Sequence, residues 1–313
     1  MYRGLNALLL VLLIPAAAVA QVDSIIVTDV DMRGNNAWSP DSASFYLLTE
    51  FCFVENGDTL TIEPGTVIKG EPGQGEDASA LIVARGGHIL ADGTAKQPII
   101  FTAQSDDPGD PNDLPQNARG LWGGVILLGI AGTNVAGDSN NIEGIPLTEP
   151  RGIYGPGSSF TLDNNDNSGI VRYVSIRYGG SVIGANNEIN GLTMGAVGDG
   201  TTIEYVEVFN NADDGFEWFG GTVNTKYLIS TRNDDDGFDY DEGWRGKNQF
   251  WLLYQDSADG NTGGEHDGGT NPEDGTPYAI PVISNATYVG AGATGLNACL
   301  LYTSDAADEY NPV

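Results

Sequence analysis

Cationic and metal-binding side chains are scarce in this sequence. Of 313 residues only 13 are Lys or Arg, against 43 Asp or Glu, and the net charge is -30. A polyanion of this size excludes binding to nucleic acid, or to an acidic membrane surface, through bulk electrostatics. Two His and two Cys exclude a Cys-rich zinc module, an iron–sulfur protein and a disulfide-dense scaffold. Beyond Ile14 no stretch approaches the roughly 18 apolar residues of a membrane span, so none is expected in the mature chain. No long run repeats its apolar residues every 3.6 positions, and 44 Gly and 15 Pro interrupt the chain. Helix content is therefore expected to be low. What is present is a chain 40% hydrophobic, enough for a sizeable core.

The two ends stand apart. Arg3, the apolar run Leu5 to Ile14 and the small residues Ala18-Val19-Ala20 form a secretory signal peptide over residues 1–20. A secreted or cell-surface protein is expected. No Cys follows the cleavage site, so a lipid anchor is not indicated. At the other end, Cys299 to Glu309 resembles one reading frame of a sequencing-library adapter. Residues 299–313 are therefore expected to be a non-native tail, and 21–298 a single domain truncated at its C-terminus. Cys52 is then the only native cysteine, and in Phe51-Cys52-Phe53-Val54 it suits a small buried apolar position.

Between the ends, short β-branched and aromatic runs alternate with turn residues. Thr59 to Ile62, Ala80 to Val83, Ile99 to Thr102, Ile170 to Arg177, Ile203 to Phe209, Lys226 to Ser230 and Phe250 to Tyr254 are examples. This is an all-β pattern. Asp213-Asp214-Gly215-Phe216-Glu217-Trp218 recurs as Asp235-Asp236-Gly237-Phe238-Asp239-Tyr240, an offset of 22 residues. Tyr205 and Tyr227 stand eight positions before Asp213 and Asp235, and Phe250 stands nine before Asp259-Gly260, a weaker third copy. About 22 residues suits one coil of a right-handed parallel β-helix, each strand pairing with its equivalent about 4.8 Å along the axis. A β-sandwich is the alternative. The acidic stretch Ser105 to Asp113 is expected to be an excursion from the coils.

Further blocks carry a resemblance. Leu60 to Gly70, Leu81 to Ile89, Ala91-Asp92-Gly93-Thr94, Gln97 to Thr102 and Gly120 to Gly129 resemble exported bacterial β-helix proteins of the pectin-lyase-like superfamily, over roughly residues 45 to 298. The resemblance implies the architecture. It implies no one activity, because the superfamily holds lyases, hydrolases, adhesins and proteins of unknown role.

The acidic repeat is the best site candidate. Residues 201–275 hold 17 of the acidic residues and four basic ones, Lys226, Arg232, Arg245 and Lys247. The register stacks Asp213 on Asp235, Asp214 on Asp236 and Asp259, and Glu217 on Asp239. Gly215, Gly237 and Gly260 would stack at a turn, where glycine permits positive φ. Carboxylates about 4.8 Å apart repel by roughly 1 kcal/mol in water and about 3.5 kcal/mol at an effective dielectric near 20. Protonation, pairing with a nearby cationic side chain, or a bound Ca²⁺ would each relieve this. A plain turn row, with Asp side chains bonded to their own backbone, is the structural alternative. The metal candidates are Asp213, Asp214, Glu217, Asp235, Asp236 and Asp239. Trp218, Tyr240 and Trp244 are candidates to stack on sugar faces, and could equally fill the core. His266 is a weak candidate for a general base.

Two functions remain. One is a non-catalytic exported β-helix, adhesive or contacting a glycan or surface protein, stabilised by Ca²⁺. The other is a calcium-dependent polysaccharide lyase or glycoside hydrolase, in which Arg232 or Arg245 would serve.

Overall fold

The computed structural model describes residues 22–184, 187–255, 260–269, 272, 274–290 and 302–304. Residues 1–20 and most of 299–313 lie outside these. Among the described residues there is no α-helix, only three short 3₁₀ turns. The principal sheets are parallel throughout, and the chain is a parallel β-helix.

The coil has three faces. One runs through Asn35–Trp38, Thr59–Ile62 and His88–Asp92 to the first half of Gly169–Arg177. The second runs through Val22–Val27, Ala43–Leu48, Val67–Gly70 and Ile99–Ala103 to the second half of that strand. From there both continue in the long strands Thr202–Phe209, Thr225–Thr231 and Lys247–Tyr254. The third face holds Phe51–Val54, Ala80–Val83, Val125–Leu128, Leu192–Gly195, Phe216–Phe219, Phe238–Asp241, Glu265–Asp267 and Tyr302–Ser304.

Aromatic residues turn the corner between the first two faces. Tyr173, Tyr205, Tyr227 and Phe250 have φ of 50°, 55°, 60° and 63°, a left-handed conformation that bulky side chains rarely adopt. Their rings stack along the axis at 4.4, 4.3 and 5.0 Å. The stacked column offsets part of the backbone strain at each corner.

The predicted register holds over the repeat. Phe216 pairs with Phe238, Glu217 with Asp239 and Trp218 with Tyr240. The offset of 22 residues is local: it becomes 24 from Leu192 to Phe216 and 26 from Asp239 to Glu265. One expectation about the turns is overturned. Gly237 donates its N–H to Thr262 O at 3.3 Å, so Gly263, not Gly260, follows Gly237 in the turn column. Nor do Gly215 and Gly237 have positive φ. They are glycines for space: a Cβ on Gly237 would lie 2.3 Å from Leu253 Cδ1 and 2.9 Å from Gly263 O. Asp259 lies outside the described residues.

Alternation then decides what faces inward. Phe216, Trp218, Phe238, Trp244 and Trp251 fill the coil. Cys52 is buried, and burial pushes its thiol up to about 12. No strand occurs between Ala103 and Val125, in keeping with the expected excursion. A second excursion, from Leu128 to Gly169, lays Ile142, Ile145 and Tyr154 on the outside of the third face, over Phe53, Ile82, Ile126 and Leu128.

Candidate functional site

One outward row of the third face changes character along the axis. It runs Phe53, Ile82, Ile126, Thr193, Glu217, Asp239, Glu265. The first three are covered by the excursion; the last three are acids. Beside them, at the turn, runs a second row. Asn190 Oδ1 accepts the N–H of Asp214 at 3.2 Å, Asp214 Oδ1 that of Asp236 at 2.8 Å, and Asp236 Oδ1 that of Thr262 at 2.5 Å. These side chains therefore bond the next coil's backbone rather than their own.

The two rows converge. Asp214, Glu217 and Asp239 each bring a carboxylate oxygen within 4.8 Å of the other two, as do Asp213, Asp214 and Asp235. Asp236 sits in the turn row, 2% exposed, with its Oδ1 engaged by Thr262. Asn190 and Glu143, neither singled out from the sequence, complete the group. Asn190 Nδ2 donates to Glu143 Oε1 at 2.6 Å and also to Glu217 Oε2. The Asn190-Gly191 pair repeats Asp214-Gly215 at an offset of 24, a signal that a search at 22 passes over.

Burial dominates the electrostatics. It pushes Asp213 up to about 8, with Glu143 and Asp235 adding to the effect. Burial also raises Asp214, with Asp239 and Asp213 adding, and Glu217, with Glu143 and Asp239 adding. Asp239 rises through burial and Glu265. Burial takes Glu265 up to about 7. Carboxyls crowded this way hold protons or a cation. Asp239 Oδ1 is buried with no hydrogen-bond partner among the described residues. A buried carboxyl oxygen without a donor, beside two further acids, fits the oxygen donor set of a hard divalent cation once these groups lose their protons.

A family model for the pectate-lyase-like beta helix domain matches residues 35–304. The chain belongs to that family. Neither a curated protein nor a solved structure matches it.

Within this pectate-lyase-like domain the candidate sugar platform is corrected. Trp218 and Trp244 are both 0% exposed and stack on each other at 4.5 Å inside the coil. Trp218 follows Glu217 along a strand and so points to its opposite, inner side, and Trp244 is buried against it, so neither offers a face to a ligand. Tyr240 is partly buried and stacks on His266 at 4.3 Å. Burial pushes His266 down to about 4, which makes it a poor base at neutral pH. Arg245 is committed to the backbone, donating to Gly243 O at 2.7 Å and Gly132 O at 3.4 Å. No helix among the described residues is long and apolar enough to cross a membrane.

Proposed function

We propose that this protein is an exported, non-catalytic β-helix of the cell surface or its surroundings, stabilised by Ca²⁺ on the acid row and contacting glycans or surface proteins. The observation that carries the cation is the trio Asp214, Glu217 and Asp239, with Asp239 Oδ1 buried and lacking a donor. Ca²⁺ takes six to eight oxygens, drawn from carboxylates, carbonyls and water. Three clustered carboxylates supply the charged part of such a set, and the ion removes their mutual repulsion. Against catalysis stand the engagement of Arg245 by backbone carbonyls and the low basicity of His266. A uronate polymer would also approach a chain of net charge -30, which repels it.

The test is a melting curve at neutral pH, with chelator and then with millimolar CaCl₂. A ligand bound only by the folded state, at a hundredfold excess over Kd, adds about 2.7 kcal/mol. The expected result is a rise in Tm that Asp239→Asn abolishes. An unchanged Tm in the wild type would leave protons alone to hold the row. Under both conditions, pectate and alginate should release no unsaturated uronate, followed by absorbance.

A further inference from the structure

A cavity of about 700 Å³ lies between the second excursion and the outer side of the third face. It is distinct from the acid trio, although Glu143 lines one wall and reaches the trio through Asn190. Its inner end is polar and rigid. Tyr154, 1% exposed, donates its hydroxyl to Glu242 Oε2 at 2.5 Å. The Asn140 carboxamide stands beside both groups. Glu242 is 5% exposed and holds φ of 54°, a conformation that costs of order 1–3 kcal/mol and persists only where its surroundings over-determine it. Phe219 and Leu147 line the cavity as apolar walls, and Leu147 is 78% exposed at the rim.

We propose that this cavity binds one residue of a neutral glycan, a proposal that deepens the glycan-contacting reading above and rests on it. The argument is complementarity. A sugar ring is ringed by hydroxyls that both donate and accept, and it carries C–H faces. Carboxyl, phenol and carboxamide groups meet the first requirement, since together they also donate and accept. Phe219 and Leu147 meet the second, because the face of an aromatic ring is electronegative and apolar. The volume lies in the range of small-ligand sites. Charge selects the class. Glu143 and Asp241 also line the cavity and, among the described residues, no Lys or Arg does, so a uronate or sulfate finds no cationic partner there. An amine is a poorer match: Glu242 Oε2 already accepts the Tyr154 hydroxyl, and burial brings Glu242 up to about 7, so the innermost carboxyl is not a full anion at neutral pH.

The experiment is calorimetric titration of the full chain with neutral hexasaccharides of β-1,4-linked glucose, xylose and mannose. Hexagalacturonate and fully deacetylated chitohexaose serve as anionic and cationic probes. At least one neutral probe should bind more tightly than either charged one. Glu242→Asn, which tolerates the left-handed backbone but is one methylene too short to reach the sugar, should weaken it about tenfold, as for loss of one well-made hydrogen bond to a buried group. Leu147→Asp, at an exposed position where folding is not threatened, should weaken it about threefold or more. Unchanged affinity in both variants would overturn the cavity assignment while leaving the glycan-contacting reading in place. Preference for either charged probe would overturn the neutral class. No binding of any oligosaccharide would sink both this proposal and the glycan-contacting reading. The calcium response, measured without sugar, is independent of all these outcomes.

Discussion

Asp214 accepts the backbone N–H of Asp236, its counterpart one coil along the helix, at 2.8 Å. The bond makes the acid at this turn a replacement for the acceptor that a parallel ladder lacks where its strands break. It predicts a split between two substitutions. Asp214→Asn keeps an acceptor oxygen and removes a crowded charge, so stability in chelator should hold or rise. Asp214→Leu leaves the N–H of a buried residue without a partner and should cost about 1–3 kcal/mol by urea denaturation. Equal losses in the two variants would show that the bond contributes nothing.

Stability should fall as pH rises in the absence of divalent cations. Burial places Asp213 near 8 and Glu265 near 7 in the folded chain, above the ordinary carboxylate range of the unfolded chain. Between about pH 4 and pH 8 the folded state therefore binds more protons. Its stabilisation is fully present below the unfolded values and is lost as pH climbs through the folded ones. Urea midpoints in chelator at pH 5, 6, 7 and 8 should decline in that order, and millimolar CaCl₂ should flatten the decline. A midpoint that rises with pH in chelator would contradict the burial of these acids.

Gly237 should resist replacement although its φ is ordinary. Gly237→Ala drives a methyl group against Leu253 Cδ1 and Gly263 O and should cost about 1–3 kcal/mol, the range for overpacking. A Tm equal to wild type would mean that the turn column has slack.

The corner column predicts an unusual ranking. Tyr205 combines φ of 55° with rings stacked on both sides. Tyr205→Asn loses the stacking but keeps a residue tolerant of left-handed φ. Tyr205→Val loses both and should be the less stable by about 1 kcal/mol or more. Thermal melts of the pair would decide it, and the reverse order would remove backbone conformation from the explanation.

The architecture and the register of the central coils could be read from sequence because two coils share one length. Phe216 and Phe238 announce each other across 22 residues. The neighbouring coils differ by a few residues, which disguises Asn190-Gly191 and Thr262-Gly263 as unrelated turns. Glu265 was missed as the third member of the outward acid row for the same reason. Trp218 shows a different limit: adjacency to Glu217 along the chain suggested a shared surface, whereas pleating sends neighbours to opposite sides. The cavity at Glu242 was not legible at all. Tyr154 and Glu242 lie 88 positions apart, joined only because an excursion folds back over a strand it does not pair with.

The turn row has a direction. Asn190 receives Asp214, Asp214 receives Asp236, and Asp236 receives Thr262; in every case the earlier coil holds the oxygen and the later one brings the hydrogen. A coil already formed thus presents a finished docking point to the segment that follows it. The backbone bonds beside this row run the other way, Gly215 donating to Asp236 O and Gly237 to Thr262 O, so each turn both receives from and gives to the coil that follows.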